Sequence, residues 1–466
     1  MNPGHPFALP DRFRFGITTS GFQVEGGYNA PGEPANNWAE WERAGVVEPS
    51  GIALDFWHSY EEHFTRAASL GCDSFRLSVE WARVEPAPGE IDWGALERYA
   101  AILSAAATSG LEPVVTLYHF THPAWLGPDF WVGLDAPDIF AAWVEVAVVR
   151  LRGHCQRWVT VNQPNVYAMS SYLTGAFPPG RRLATGAALR SLDHLLAAHV
   201  LADEVIHRLQ PEARVATTSY PLPVYEFDQL LLDVVLARRR GVARSGVGPY
   251  LRQRRRDWYR AAVGVATPVT ARPLRRLAAS IVPLEQAFPR TVAEVYRSPR
   301  RTSIDTVSVG YGDHHPPSGP RLAAGHTEQP AGLELRSRQT TADGLAFEVA
   351  ENGFCNRVVR GRPLPRGDGW DRPRYLRKNL ASLVGAVDDG AEVTGYWHRS
   401  LADGYEWGSY QPRFGLFAVD RDRGCRWSAL DAMGHDSAGA YRRLIAALRS
   451  GDRSVLTGAG LVPATS

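Results

Sequence analysis

Lysine is what this 466-residue chain has least of. Lys378 is the only one, so all but one of its 51 lysine-plus-arginine residues are arginine. The bias reads as codon usage in a GC-rich bacterium and not as function. Net charge is equally scarce. The 51 basic and 49 acidic residues leave a formal +2, so no global field points to nucleic acid or to a membrane surface. Only four cysteines occur, Cys72, Cys155, Cys355 and Cys425, far apart and with no C-x-x-C spacing. That argues against a disulfide framework and against a thiolate metal site. A run of about 18 apolar residues is absent, so no membrane-spanning helix is expected. Met1-Asn2-Pro3-Gly4-His5-Pro6 has neither a basic start nor an apolar segment. No signal peptide is expected, and a cytoplasmic location is the default.

What is present is the composition of a globular protein, 44% hydrophobic and 21% charged, enough to build a sizeable core. Short apolar runs recur at 13–17, 74–79, 113–118, 158–162, 214–218, 304–310, 345–350 and 393–399. Helical patterns lie between them, for example at 95–109, 138–152, 187–210 and 372–388. Eight strands alternating with helices predict an α/β fold, a single (β/α)8 TIM barrel. It is expected to fill residues 1–455 as one domain, with 456–466 a flexible tail. The arginine-rich stretch 238–260, with Tyr250, Trp258 and Tyr259 interleaved, reads as a solvated helical insertion after the fifth strand, in preference to a nucleic-acid surface. The Pro- and Gly-rich stretch 316–329 reads as a loop. His314, His315 and His398 lack a third partner, so no metal is expected.

On this map the polar residues gather at one end. Gln23 and Glu25 follow the first strand and Arg76 lies on the second. His119 ends the third, and Asn162 and Gln163 end the fourth. Tyr311 ends the sixth and Glu351 the seventh, while Arg399, Glu406 and Trp407 follow the eighth. The C-terminal ends of barrel strands are where active sites are built. A ring of polar groups suits a ligand with many hydroxyls. Two carboxyl groups facing each other across a sugar are the usual apparatus for breaking glycosidic bonds. Val349-Ala350-Glu351-Asn352-Gly353 presents one carboxylate, but Val161-Asn162-Gln163-Pro164-Asn165 presents an amide where the other is expected.

These stretches resemble glycoside hydrolase family 1, the β-glucosidase and myrosinase family. Phe13 through Gly26 resembles its N-terminal signature and Leu117-Tyr118-His119-Phe120 its third-strand motif. Trp158 through Asn165, with Tyr172 through Gly180, resembles the acid/base region, and Glu351-Asn352-Gly353 the nucleophile motif. Gly395 through Leu416 resembles the sugar-binding segment. The resemblance implies that Glu351 is the nucleophile, and that Gln23, His119, Asn162, Glu406 and Trp407 grip the sugar hydroxyls. Arg76 would stand beside Glu351, a cation that favours the ionised carboxylate. No cofactor is implied, and the partner is a small-molecule glycoside.

Four departures qualify this expectation. Gln163 replaces the acid/base glutamate and cannot donate a proton to the leaving oxygen, a loss of roughly 10²–10⁴-fold for poor leaving groups. In Ser308-Val309-Gly310-Tyr311-Gly312, Gly310 and Gly312 replace an asparagine and the tyrosine that orients the nucleophile. Arg399 replaces a tryptophan at the floor of the sugar site, either as a reader of substrate charge or as a partner for Glu351. Phe120 replaces another tryptophan. Three functions remain open. The first is a retaining β-glycosidase for O- or S-glycosides with activated leaving groups, as in myrosinases, which carry Gln at this position. The second is a repurposed transglycosidase or other natural-product-modifying enzyme. The third is a catalytically silent sugar-binding homologue.

Overall fold

The computed structural model describes residues 7–222, 224–262, 288–312 and 331–457. Eight parallel strands succeed one another in chain order: Arg14–Thr18, Ser74–Ser78, Glu112–Tyr118, Arg157–Val161, a split fifth strand, Thr306–Gly312, Ala346–Gly353 and Val393–Arg399. The fifth consists of Arg214–Ala216 and Thr218–Ser219. Its first half pairs with the fourth strand and its second half with the sixth. The first strand pairs with both the second and the eighth. The ring closes as a (β/α)8 barrel. The second and eighth strands are buried along their whole length, as expected where helices cover the outside and side chains fill the inside.

Helices at Trp93–Thr108, Ala136–Leu151, Thr185–Leu209 and Arg372–Asp388 form part of the outer layer. Asp92 and Asp371 cap two of them by accepting backbone N–H groups. Both halves of the expectation, strands and helices, lie within a few residues of these positions. Two small antiparallel additions were not expected. Asn356–Val359, Arg362–Leu364 and Pro412–Arg413 form one sheet, and Val419–Asp420 pairs with Arg426–Trp427. They rise from the loops after the seventh and eighth strands.

Within the arginine-rich stretch Arg238–Arg240 lie in a turn and the part from Val247 onward belongs to the helix Val247–Ala262, and the stretch is only partly solvated. Arg240 and Arg254 both pair with the buried carboxylate of Asp233, at 2.7 and 3.1 Å. Arg238 donates to the carbonyl of Val295 at 3.1 Å. These charges hold the insertion to itself and to the barrel. At the chain end, Ser454–Leu456 forms a short 3₁₀ turn. Residues 458–466, His314, His315 and the 316–329 stretch lie outside the described residues.

One irregularity aims the site. Along the sixth and seventh strands Val309 pairs with Val349, but Gly310 pairs with Glu351. The skipped residue, Ala350, is a bulge, and a bulge re-aims the side chains that follow it. Glu348 and Glu351 therefore both point into the barrel although they are three residues apart. Glu348 pairs with Arg157. Because Arg157 is on the fourth strand, this contact crosses the barrel interior and ties the strand that carries Gln163 to the strand that carries Glu351. The Arg157 guanidinium also lies over the Trp397 ring, 4.9 Å from its centroid. In Glu348→Ala the buried Arg157 would keep only Glu112, 3.9 Å away. Denaturant unfolding should show a loss of about 3 kcal/mol, the size typical of breaking a buried pair from one side. A loss below about 1 kcal/mol would mean that the pair behaves like a surface ion pair.

Candidate active site

Glu351 is the hub of the C-terminal face. Arg399 Nη1 donates to its Oε1 at 3.0 Å. Gln163 Nε2 donates to its Oε2 at 3.5 Å, and Arg76 Nη1 stands 3.8 Å from the same oxygen. All four side chains are buried. A buried carboxylate is costly unless it is paired, and two guanidinium groups supply that pairing. Arg76 is in turn fixed from the barrel wall. It donates to Thr116 Oγ1 at 2.9 Å, to the Ala350 carbonyl at 3.3 Å and to Asn162 Oδ1 at 2.7 Å.

Gln163 owes its aim to its backbone. It adopts a left-handed conformation with φ 41° and ψ 62° as the N-cap of the helix Pro164–Tyr172. Proline at the first helical position suits this start. The Gln163 N–H donates to Thr218 Oγ1 at 2.9 Å, and Thr218 donates to Asn162 Oδ1 at 2.8 Å. Thr218 thus holds both residues at the end of the fourth strand. Phe120 and Trp407 are likewise left-handed, with φ of 68° and 49°. Non-glycine residues take this conformation at an energetic cost, and such positions cluster at functional sites.

The second anchor is Glu406. Gln23 Nε2 donates to its Oε2 at 3.0 Å, and Arg399 pairs with the same oxygen. Arg399 therefore bridges Glu351 and Glu406, and its guanidinium lies over the ring of Phe414, 4.4 Å from the centroid. Burial pushes the Glu406 pKa up to about 7, against the pull of Arg399 and with Glu351 adding to the rise. Burial also works against the charge on Arg76 and lowers its pKa. His119 Nε2 meets Asn162 Nδ2 at 3.1 Å, and its ring stacks on Trp407 with centroids 5.8 Å apart. Phe22, Trp38, Phe120 and Phe177 pack around Trp407 and complete an aromatic wall.

Between these groups lies a narrow pocket that opens to solvent, lined by Thr18, Thr19, Ser20, Gln23, His119, Glu351, Arg399 and Glu406 among others. Of the residues singled out in the sequence, Gln23, His119, Glu351, Arg399 and Glu406 line it, while Asn162, Gln163, Arg76 and Trp407 stand directly against its lining. Tyr311 does not join them. It pairs in register with Asn352, whose amide turns to the Tyr375 hydroxyl on the outer helix Arg372–Asp388. Paired residues of parallel strands share a face, so Tyr311 lies on the face away from Glu351. Thr116 and Thr218 were not foreseen. Nothing in the sequence marks a threonine as a support for a residue on another strand.

Among the described residues one group has metal-like geometry, Asp203, His207 and Asp305. His207 already bridges the two carboxylates, at 3.1 and 3.2 Å, and Arg300 pairs with both, at 2.9 and 3.1 Å. Burial opposes the charge on His207, but the carboxylates outweigh it and push its pKa to about 10. The donors are occupied by protein cations, and the group reads as a clamp between the helix Thr185–Leu209 and the start of the sixth strand.

A parallel barrel with polar side chains gathered at the C-terminal ends of its strands is the architecture of TIM-barrel enzymes. The sequence model of glycosyl hydrolase family 1 matches residues 5–447, and the chain belongs to that family. It is 26% identical to coniferin β-glucosidase of Pinus contorta, over 88% of each chain. It is 25% identical to 6-phospho-β-galactosidase 1 of Streptococcus pneumoniae, over 91% of this chain and 97% of the relative. The fold matches β-glucosidase from Thermotoga maritima in complex with deoxynojirimycin, with a TM-score of 0.73 and 21% identity over 95% of this chain and 99% of that one.

The raised pKa of Glu406 has a testable sign. The folded protein holds this proton more tightly than the unfolded chain, whose value is about 4.5. The stabilising contribution is complete below about pH 4.5 and is lost as pH rises through about 7. Wild type should therefore lose stability relative to Glu406→Gln between pH 4.5 and 7, and the gap should level off above that. Urea unfolding of both proteins across pH 4–8 measures it. A wild-type-minus-variant difference that stays flat over this window would contradict the assignment.

Proposed function

We propose that this protein is a retaining β-glycosidase in which Glu351 attacks the anomeric carbon and Gln163 stands at the acid/base position. The observation that carries the reading is the Gln163 amide facing the Glu351 carboxylate across 3.5 Å. The carboxyl groups of retaining enzymes are about 5–5.5 Å apart. An amide donates to a carboxylate where a second carboxylate would repel it, which accounts for the shorter separation. In the first step a Glu351 oxygen bonds to the anomeric carbon as the bond to the leaving group breaks. The leaving group takes the electron pair. Gln163 has no proton to give, so the substrate must carry a leaving group that departs as a stable anion. Water, or another acceptor, then bonds to the anomeric carbon as the bond to Glu351 breaks, its proton passes to solvent, and the sugar is released with its configuration retained.

Relatives named for a neutral glucoside and for a phosphorylated galactoside leave the sugar open. Glu406 and Gln23 suit a gluco- or galacto-configured ring. One observation favours a second reading, a silent sugar-binding homologue. Arg399 pairs with both Glu351 and Glu406, so it occupies the two carboxylates that a sugar would otherwise engage.

Covalent labelling separates these readings. A 2-deoxy-2-fluoro glycoside with a dinitrophenolate leaving group should add its glycosyl mass to Glu351. Labelling without release of free sugar from ordinary aryl glycosides points to transfer. Absence of labelling at every pH leaves the silent reading. A kinetic signature accompanies this. Hydrolysis should depend steeply on leaving-group pKa, and azide should accelerate turnover of activated substrates by acting where the base is missing. Gln163→Glu should restore hydrolysis of alkyl β-glycosides with a bell-shaped pH profile, because burial and the Glu351 charge keep the new acid protonated. A folded variant inert on glucoside, galactoside and fucoside alike would defeat the hydrolytic reading.

A further inference from the structure

The departures around the nucleophile converge on one carboxylate. Arg399 donates to Oε1 of Glu351 and Gln163 to Oε2, while Gly310 is the strand partner of Glu351. A Cβ added at Gly310 would lie 2.0 Å from Gln163 Nε2, far inside van der Waals contact. The amide reaches Glu351 only because position 310 has no side chain. The space it enters is the gap that a retaining site keeps for the anomeric carbon and the leaving atom.

We propose that Gly310, Gln163 and Arg399 form a latch over Glu351, with Gly310 the positioning residue that permits it and Gln163 the arm that swings away when a ring binds. The inference rests on the reading of Glu351 as nucleophile. The contact of 3.5 Å is at the long limit for a hydrogen bond, so it yields more readily than the Arg399 pair at 3.0 Å. A ligand that binds only the open form has its apparent affinity reduced by the open fraction. The latch thus sets how tightly any sugar ring is held before chemistry begins.

Gly310→Ala is a clean test. Gly310 is in a strand and has no left-handed backbone, and the next nearest atoms its Cβ would meet are Gln163 Cδ at 3.1 Å and Cγ at 3.7 Å. The three nearest atoms thus all belong to one flexible side chain. Gly312 differs, because there a Cβ would meet the Gly353 carbonyl oxygen at 2.9 Å, which is backbone and cannot swing aside. Gln163→Ala opens the same latch without touching the strand.

Calorimetric titration of a monosaccharide-like iminosugar, deoxynojirimycin, should show both variants binding about tenfold more tightly than wild type, the size of one weak charge-assisted hydrogen bond broken beforehand. Labelling of Glu351 should accelerate in Gly310→Ala, and a crystal structure of that variant should show the amide turned away. Unchanged affinity in either variant overturns the latch, as does failure of all three proteins to bind the ring. Tighter binding in both variants with no labelling in any protein leaves the latch standing and removes the nucleophile reading.

Discussion

A carboxylate taken out of water must be paired, and the arrangement of this site follows from that requirement at Glu351. Two guanidinium groups and one amide converge on its two oxygens. Each partner is then fixed by something else: Arg76 by Thr116 and Asn162, Arg399 by Glu406 and Phe414, and Gln163 by its left-handed backbone and Thr218. Pull on one member and the rest are left with uncompensated charge or an unmet donor. Such networks hold a single geometry well only when every member is satisfied.

The same network defines the competition a ligand faces. A sugar hydroxyl would offer the Glu406 carboxylate a hydrogen bond alone, whereas Arg399 offers it a hydrogen bond together with an ion pair. Burial lifts the Glu406 pKa to about 7, so its charge, and with it the hold of Arg399, varies near neutrality. The side chains of the pocket pair with one another, Arg399 with Glu351 and Glu406, and Gln23 with Glu406.

The barrel supplies distances that no single motif contains. The bulge at Ala350 turns Glu351 into the interior and Asn352 outward to Tyr375 and Tyr396. The Arg157–Glu348 pair beneath joins the fourth and seventh strands. Closure through the split fifth strand brings Thr218 beside Asn162 and Gln163. Residues separated by 188 positions in the chain, Gln163 and Glu351, meet as a result.

The sequence by itself determined the architecture and the cast. Apolar runs alternating with helical patterns specify a parallel sheet with both faces covered, and a count of eight such units matches a closed barrel. Strand ends then identify Gln23, His119, Glu351, Arg399 and Glu406 as neighbours, and Gln163 is legible as an amide at the end of the fourth strand. Only the tertiary structure decided how those residues engage one another. Whether Arg399 meets Glu351, Glu406 or both depends on side-chain reach across the barrel mouth. That Tyr311 turns away follows from its place next to the inward-facing Gly310, because successive residues of a strand face opposite ways. That Gly310 matters through the space it leaves for Gln163 depends on a contact between strands four and six, which share no local sequence signal.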